Sequence, residues 1–187
     1  MAKNEKVRCD WCLKEPIYIA YHDEEWGVPV HDDTKLFEFL ILESFQAGLS
    51  WLTVLKKREN FRKAFVNYDA QKIAKFDTKK VELLMQDAGI IRNRLKIEAA
   101  VNNAKCFLQI QKEFGSFDKY MWSFVDYKPI VNKRKSLKEL PAKTDISDLM
   151  SKDMGKRGFK FRGSTICYAF MQAVGMVNDH LDTCWKK

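Results

Sequence analysis

The residue with the most chemical leverage in this chain is Glu43, a carboxylate at the end of an otherwise apolar helical stretch. A carboxylate in such a place is costly to bury unless it has a partner. Tyr18, Tyr21 and Trp26 precede it and Trp51 follows, bracketing Ser44-Phe45-Gln46-Ala47-Gly48-Leu49-Ser50. Aromatic faces attract cations, and an ionised carboxylate attracts them more strongly. Together these side chains would make a pocket for a flat, positively charged ring. By spacing alone the simpler reading wins, in which the aromatics are core and Glu43 is exposed.

A second set lies at the two ends. Cys9 and His22 are near one terminus, His180 and Cys184 near the other, and two thiolates with two imidazoles make a closed tetrahedral zinc site. His180 and Cys184 are one helical turn apart. A rival exists in Cys9-x2-Cys12, a commoner metal spacing, and lone cysteines are often simply buried. The five cysteines are an odd number in a chain with no sign of secretion, which favours free thiols or a metal over disulfides.

The third set is Lys156-Arg157-Gly158-Phe159-Lys160-Phe161-Arg162-Gly163-Ser164-Thr165, followed by an apolar helix from Ile166 to Val174. Gly158 and Gly163 permit tight turns, and Gly163-Ser164-Thr165 would present backbone N–H groups at a helix start, where an anion is favoured. Lys156, Arg157, Lys160 and Arg162 surround that point with positive charge. A phosphate held there would fix DNA without reading its bases. A basic loop ahead of a core helix is the plainer alternative.

The elements that must position these groups read as helices. A polar run at Asp32-Asp33-Thr34 opens a helix through Phe39 and Leu40, Ser50 caps one carrying Trp51, Leu52, Val54 and Leu55, and Asp69 and Thr78 precede two more. Ile97, Ala100, Val101, Ala104, Phe107 and Leu108 form an i, i+3, i+4, i+7 stripe ending before Gly115, and Ser116 restarts the pattern at Phe117. No segment alternates over strand lengths, so the fold class is all-α. Residues 126–145 hold Pro129, Pro141 and the run Lys133-Arg134-Lys135, and read as a long surface loop. The 187 residues suit one domain, 1–187, in two helical lobes, with the hairpin and its following helix at 156–175.

The net charge of +8 suits a polyanionic partner such as nucleic acid. The start, Met-Ala-Lys-Asn-Glu-Lys-Val-Arg, is charged and has no apolar leader, and no apolar run approaches membrane length. The expected location is cytoplasmic, with no membrane partner.

Several stretches together resemble the type I (Tag) 3-methyladenine DNA glycosylases: Pro16-Ile17-Tyr18-Ile19-Ala20-Tyr21-His22-Asp23-Glu24-Glu25-Trp26-Gly27-Val28-Pro29, Gln46 to Trp51 with Leu55 to Asn60, Asp87 to Arg94, Met121 to Val125, and Lys156 to Phe161 through Phe170-Met171-Gln172-Ala173. The likeness covers nearly the whole chain. It implies a helix-hairpin-helix glycosylase that releases 3-methyladenine from double-stranded DNA, works as a monomer, and carries structural Zn2+ on Cys9, His22, His180 and Cys184, with Cys12 a bystander. It places Glu43 as the catalytic residue and Tyr18, Tyr21, Trp26 and Trp51 around the base. Gly48 and Leu49 fall at the DNA gap, and Gly158, Lys160, Gly163, Ser164 and Thr165 on the phosphate. Phe45 departs from the pattern, standing beside the gap-facing loop where some relatives have a polar residue. The tail stops three residues after Cys184, so no extension is expected to support the metal site. Two other readings remain at this stage: a DNA-binding module without a working pocket, and a zinc-stabilised protein whose basic face meets an acidic partner.

Overall fold

The computed structural model describes residues 6–187. The first five, part of the charged start read above, lie outside the described residues. Among the described residues ten α-helices carry the fold: α1 Pro16–Glu24, α2 Asp33–Gln46, α3 Trp51–Leu55, α4 Arg58–Ala64, α5 Ala70–Ile73, α6 Thr78–Gln86, α7 Arg94–Phe114, α8 Phe117–Trp122, α9 Asp145–Lys156 and α10 Ser164–Ala173. The starts are set by side-chain caps at Asp32, Ser50, Asp69, Asp77, Asn93, Ser116 and Thr144, each accepting from a first-turn backbone N–H. Thr78 is therefore the first residue of α6 and Asp77 is its cap. Gly115 ends α7 with φ +87°, in the left-handed region a helix C-terminus favours.

α2 is apolar all round and is the central helix, buried from Leu36 through Phe45. α7 and α8 pack on it from one side and α10 from another. Its first turn is tied to α8 by Asp33, which accepts from the backbone N–H groups of Phe117 and Asp118 at 2.8 Å each. Phe45 faces inward, fully buried, with its ring 4.7 Å from Phe61 and 5.8 Å from Phe65. Its departure from the family pattern thus concerns the core rather than the exposed turn that follows.

The all-α expectation needs one amendment. Ile130–Val131 and Asn178 with Val177 form a two-residue parallel bridge, too short for periodicity to reveal. It belongs to the segment 126–145, which is not merely a surface loop. Asn132 and Arg134 reach into the interior, and Leu137 and Leu140 line a cavity described below.

The end of α10 meets residues 27–30 at very close range. Gly27 N–H donates to Gln172 O at 2.9 Å and Val30 N–H to Val174 O at 3.0 Å. Gly175 closes the turn with φ +71°, and a Cβ there would fall 2.3 Å from the Val28 carbonyl carbon. Both a left-handed alanine and a backbone clash are unfavourable. Gly175→Ala is expected to cost about 3 kcal/mol, read as a fall in Tm of roughly 6–12 °C.

Candidate active site and metal-binding cluster

Tyr18, Tyr21 and Trp26, from α1 and just beyond it, meet Glu43 of α2 and Trp51 of α3 around one cavity of about 310 Å³. The structure thus brings all five expected pocket residues together. Pro16 at the start of α1 presets that helix, and Tyr18 and Tyr21 fall three residues apart on one face. The Ser50 cap puts Trp51 at the first position of α3, directly after the turn that leaves α2.

Glu43 is 2% exposed, and among the described residues its Oε2 has no hydrogen-bond partner. Burial alone pushes its carboxyl up to about 8. The indole N–H of Trp51 is likewise buried and unpaired. Burial, together with the nearby Glu43, raises Tyr21 well above its ordinary value and keeps its hydroxyl protonated. An acceptor and a donor without protein partners therefore border an aromatic space, which is what a ligand with a donor edge and flat faces requires. Tyr21 and Trp51 are not parallel plates. Their centroids are 5.3 Å apart at 49°, so they form a corner in which a ring stacks on one and meets the other obliquely.

Six further residues line the cavity that sequence reasoning did not assign: Trp11, Gln46, Leu137, Leu140, Ala169 and Gln172. Trp11 sits in a 3-10 turn between Cys9 and Tyr18, its ring 4.8 Å from Tyr18 and 5.1 Å from Trp26. Its place between Cys9 and Cys12 was the only available signal. Gln172 donates to the buried Asp179 carboxylate at 2.8 Å. That carboxylate also accepts from Tyr168, Asn132 and Arg134. Burial raises its pKa, and these donors more than offset the rise.

The turn between α2 and α3 projects outward. Gly48 has φ +77° with open space around it, and Leu49 is 42% exposed. The turn is anchored from below by Lys96 of α7. Its buried ammonium donates to Phe45 O at 2.8 Å and Ala47 O at 2.6 Å, which satisfies carbonyls at the end of α2. Lys96→Met would leave those carbonyls unpaired, at about 2 kcal/mol. The expected result is a Tm lower by roughly 4–8 °C, and weaker binding to a duplex with an abasic-site analogue.

Between α9 and α10 the hairpin turns through Gly158 at φ +88° and Phe161 at φ +49°. Asn102 and Asn103 of α7 fasten it. Asn102 donates to Gly158 O at 2.8 Å, and Asn103 both donates to Lys160 O at 3.0 Å and accepts from Lys160 N–H at 2.8 Å. Gly163 caps α10 without a side chain, leaving the first-turn N–H groups of Ser164 and Thr165 uncapped by any side chain. The cationic surround is thinner than the sequence suggests. Arg157 is taken by Glu113 and Asp153, both at 2.8 Å. The Arg162 guanidinium folds back over Gly155 and Ser151. Lys156 and Lys160 stay exposed.

Cys9, His22, His180 and Cys184 are all buried, with their ligating atoms within 4.8 Å of one another. Cys184 Sγ is 3.4 Å from His22 Nε2 and 3.6 Å from His180 Nδ1, and Cys9 Sγ is 3.8 Å from His180 Nδ1. Ordinary metal–S and metal–N lengths around a tetrahedral ion give an S···N edge of about 3.6 Å, so the four residues fit a metal ion. Both imidazoles are oriented for it. His180 Nε2–H donates to Trp26 O at 3.1 Å, freeing Nδ1, and His22 Nδ1–H donates to Asp23 at 2.8 Å, freeing Nε2. Arg8 holds Asp23 far below the usual carboxylate range. Burial pushes the Cys9 thiol up to about 12, so a thiolate there calls for a cation. Cys12 is buried outside the group, donating to Cys9 O. The short tail after Cys184 braces the cluster: Trp185 donates its indole N–H to Asp23 at 3.3 Å and its backbone N–H to Val7 O at 2.9 Å.

The helical fold thus closes an aromatic cavity over a buried carboxylate, and the same chain carries a hairpin whose following helix starts without a side-chain cap. The model of the methyladenine glycosylase family matches residues 11–187. The chain is 54% identical over 177 residues to DNA-3-methyladenine glycosylase 1 of Escherichia coli (strain K12), spanning 95% of each. A crystal structure of 3-methyladenine DNA glycosylase I (TAG) superposes with a TM-score of 0.94 at 52% identity, covering 96% of this chain and 98% of that one. The Staphylococcus aureus enzyme, solved to show the structural basis of 3-methyladenine recognition, superposes with a TM-score of 0.93 at 38% identity, covering 96% of each. The chain belongs to the methyladenine glycosylase family.

Proposed function

We propose that this chain is a monofunctional DNA-3-methyladenine glycosylase that hydrolyses the N-glycosidic bond of 3-methyladenine in alkylated double-stranded DNA, as the first step of base excision repair. The observation that carries this reading is the buried, unpartnered Glu43 facing an aromatic cavity of a size to hold one base. The names of its relatives agree.

A base inside a duplex is out of reach, so the nucleotide must leave the stack first. Gly48 and Leu49 approach the vacated space. The hairpin holds a phosphate through Gly158, Lys160 and Gly163 and through the N–H groups of Ser164 and Thr165. The base stacks in the corner of Tyr21 and Trp51, walled by Tyr18 and Trp26, and donates its exocyclic amine to Glu43. Methylation at N3 makes the base cationic. When the C1′–N bond breaks, its electron pair neutralises the base and positive charge passes to the sugar. Water then adds at C1′ and gives up a proton, leaving a free base and an abasic site. Little proton transfer to the base is needed, and no Schiff-base lysine is involved.

The fold reads as the helix-hairpin-helix type, with residues 1–187 as a single catalytic domain of two helical lobes. Two cysteines and two neutral histidines at tetrahedral spacing select zinc in a closed structural site, where the ion would supply folding energy and no step of the reaction. Every feature invoked lies on one chain, which suits a monomer. Five buried free thiols and a DNA substrate suit the cytoplasm, and among the described residues no helix is long and apolar enough to cross a membrane. The test is incubation with methylated duplex DNA and chromatography of the released base. Recovery of 3-methyladenine, with no strand cleavage until alkali is added, is the expected result. No released base would overturn the reading.

A further inference from the structure

The segment that follows β1 (Ile130–Val131) runs extended, and its side chains alternate. Asn132 and Arg134 turn inward and donate to Asp179 Oδ1 at 2.9 and 3.1 Å. The backbone is pinned beside them: Asn132 N–H donates to Asn178 O at 3.1 Å, and Asp182 N–H donates to Arg134 O at 2.8 Å. Lys133 falls between these anchors and Lys135 directly after them, and both face solvent. Further on, Leu137 and Leu140 dip into the cavity wall, and the exposed Lys138 stands between them. Among the described residues, none of these three ammonium groups has a carboxylate within 4.0 Å. Glu139 is engaged with the backbone N–H of Lys135.

We propose that this strap is a second grip on the DNA backbone. Lys133, Lys135 and Lys138 hold phosphates of the strand that carries the extruded nucleotide, on the far side of the cavity from the hairpin. The proposal rests on the glycosylase reading and adds to it. Its geometric basis is α10. The hairpin sits at the start of that helix, Ala169 and Gln172 line the cavity further along, and the strap packs at its end through Asp179. Gly163 and Gln172 are separated by roughly 13 Å of helix rise, about four base-pair steps. Two grips so spaced bracket one flipped nucleotide, whereas a grip on one side leaves the duplex free to pivot. Its electrostatic basis is the shortage at the hairpin, where Arg157 and Arg162 are engaged within the protein. A net charge of +8 is there to be used, and the strap carries three of its unpaired cations to the mouth of the cavity.

The test is the variant Lys133→Gln/Lys135→Gln/Lys138→Gln. Its binding to a duplex containing a tetrahydrofuran abasic-site analogue is followed from about 50 to 200 mM salt. Each lost phosphate contact removes about 0.9 from the slope of log affinity against log salt, so a fall of about 2–3 is expected. Binding of free 3-methyladenine and the Tm should match wild type. A control variant, Lys72→Gln/Lys75→Gln/Lys79→Gln, neutralises exposed lysines of α5, α6 and the turn between them, away from the cavity, and should keep the wild-type slope. An unchanged slope in the strap variant overturns the proposal. So does an equal fall in the control, which would report net charge alone, or a loss of free-base binding, which would place the strap in the pocket instead. Base release by the wild type is scored in the same experiment, and its failure would count against the glycosylase reading itself.

Discussion

Glu43→Gln should make the protein a poorer enzyme and a more stable fold. The amide keeps the shape of the carboxyl and removes its ability to ionise. A hydrogen bond to a charged group is worth about 1.5–3 kcal/mol, so release of 3-methyladenine should fall roughly 10- to 150-fold in kcat/KM. The charge matters through the whole reaction, because it lies on the base before the bond breaks and on C1′ afterwards. The stability effect has the opposite sign. Burial holds the folded carboxyl near 8 against an ordinary 4.5, with no charged partner among the described residues to offset it. The folded state therefore keeps a proton that the unfolded chain releases between pH 4.5 and 8. Wild-type stability falls as pH rises through that window, by on the order of 3 kcal/mol at pH 7. Glu43→Gln lacks this loss. Thermal melts should show the variant ahead by several degrees at pH 8 and level with wild type near pH 4.5. Free-base binding should strengthen with pH up to about 8 in the wild type and stay flatter in the variant. Equal excision by the two proteins would remove Glu43 from the reaction, and a constant difference in Tm across pH would show that its carboxyl is not held protonated.

That conflict between folding and function was partly legible in the residues. Glu43 stood out because the stretch around it is largely apolar, and the same pattern forces α2 into the interior of the fold. Caps and periodicity placed α2, α3, α5, α7 and α8, since those signals are local. What escaped is long-range. Lys96 anchors the α2–α3 turn from a helix about fifty residues away. Asn103 fastens the hairpin across a similar separation. Both look like ordinary polar residues of an amphipathic helix until the tertiary contact exists. The strap was misread for the same reason: prolines and lysines mark a loop correctly, yet nothing local says that Asn132 and Arg134 will find Asp179. Aromatic residues suggested a pocket but not its geometry, and the oblique corner of Tyr21 and Trp51 is a product of how α1 meets α3.

The cluster at the chain ends is the extreme case of such distance, and its loss should be the most damaging single change. Cys9 and His180 are 171 positions apart and meet at 3.8 Å. An ion shared by the four ligands closes nearly the entire chain into a loop. A cross-link over about a hundred residues or more limits the unfolded chain by about 5 kcal/mol in the entropic account. Cys184→Ser should therefore abolish the metal, one ion per chain in the wild type, and lower the Tm by roughly 10–20 °C. Prolonged chelation should do the same to the wild type. Cys12→Ser is the control: the hydroxyl can still donate to Cys9 O, and the residue lies outside the group, so metal content and Tm should hold. The damage should also reach the cavity. His180 donates to the carbonyl of Trp26, and Gly27 lies against the same imidazole, so an ion held there would fix the ring that in turn holds a wall of the pocket. Below its lowered melting point, the Cys184→Ser protein should bind free 3-methyladenine more weakly than Cys12→Ser does. Full metal content in Cys184→Ser, measured by atomic absorption, would refute the ligand assignment. Metal loss with unchanged base affinity would confine the ion to stability and free the pocket from it.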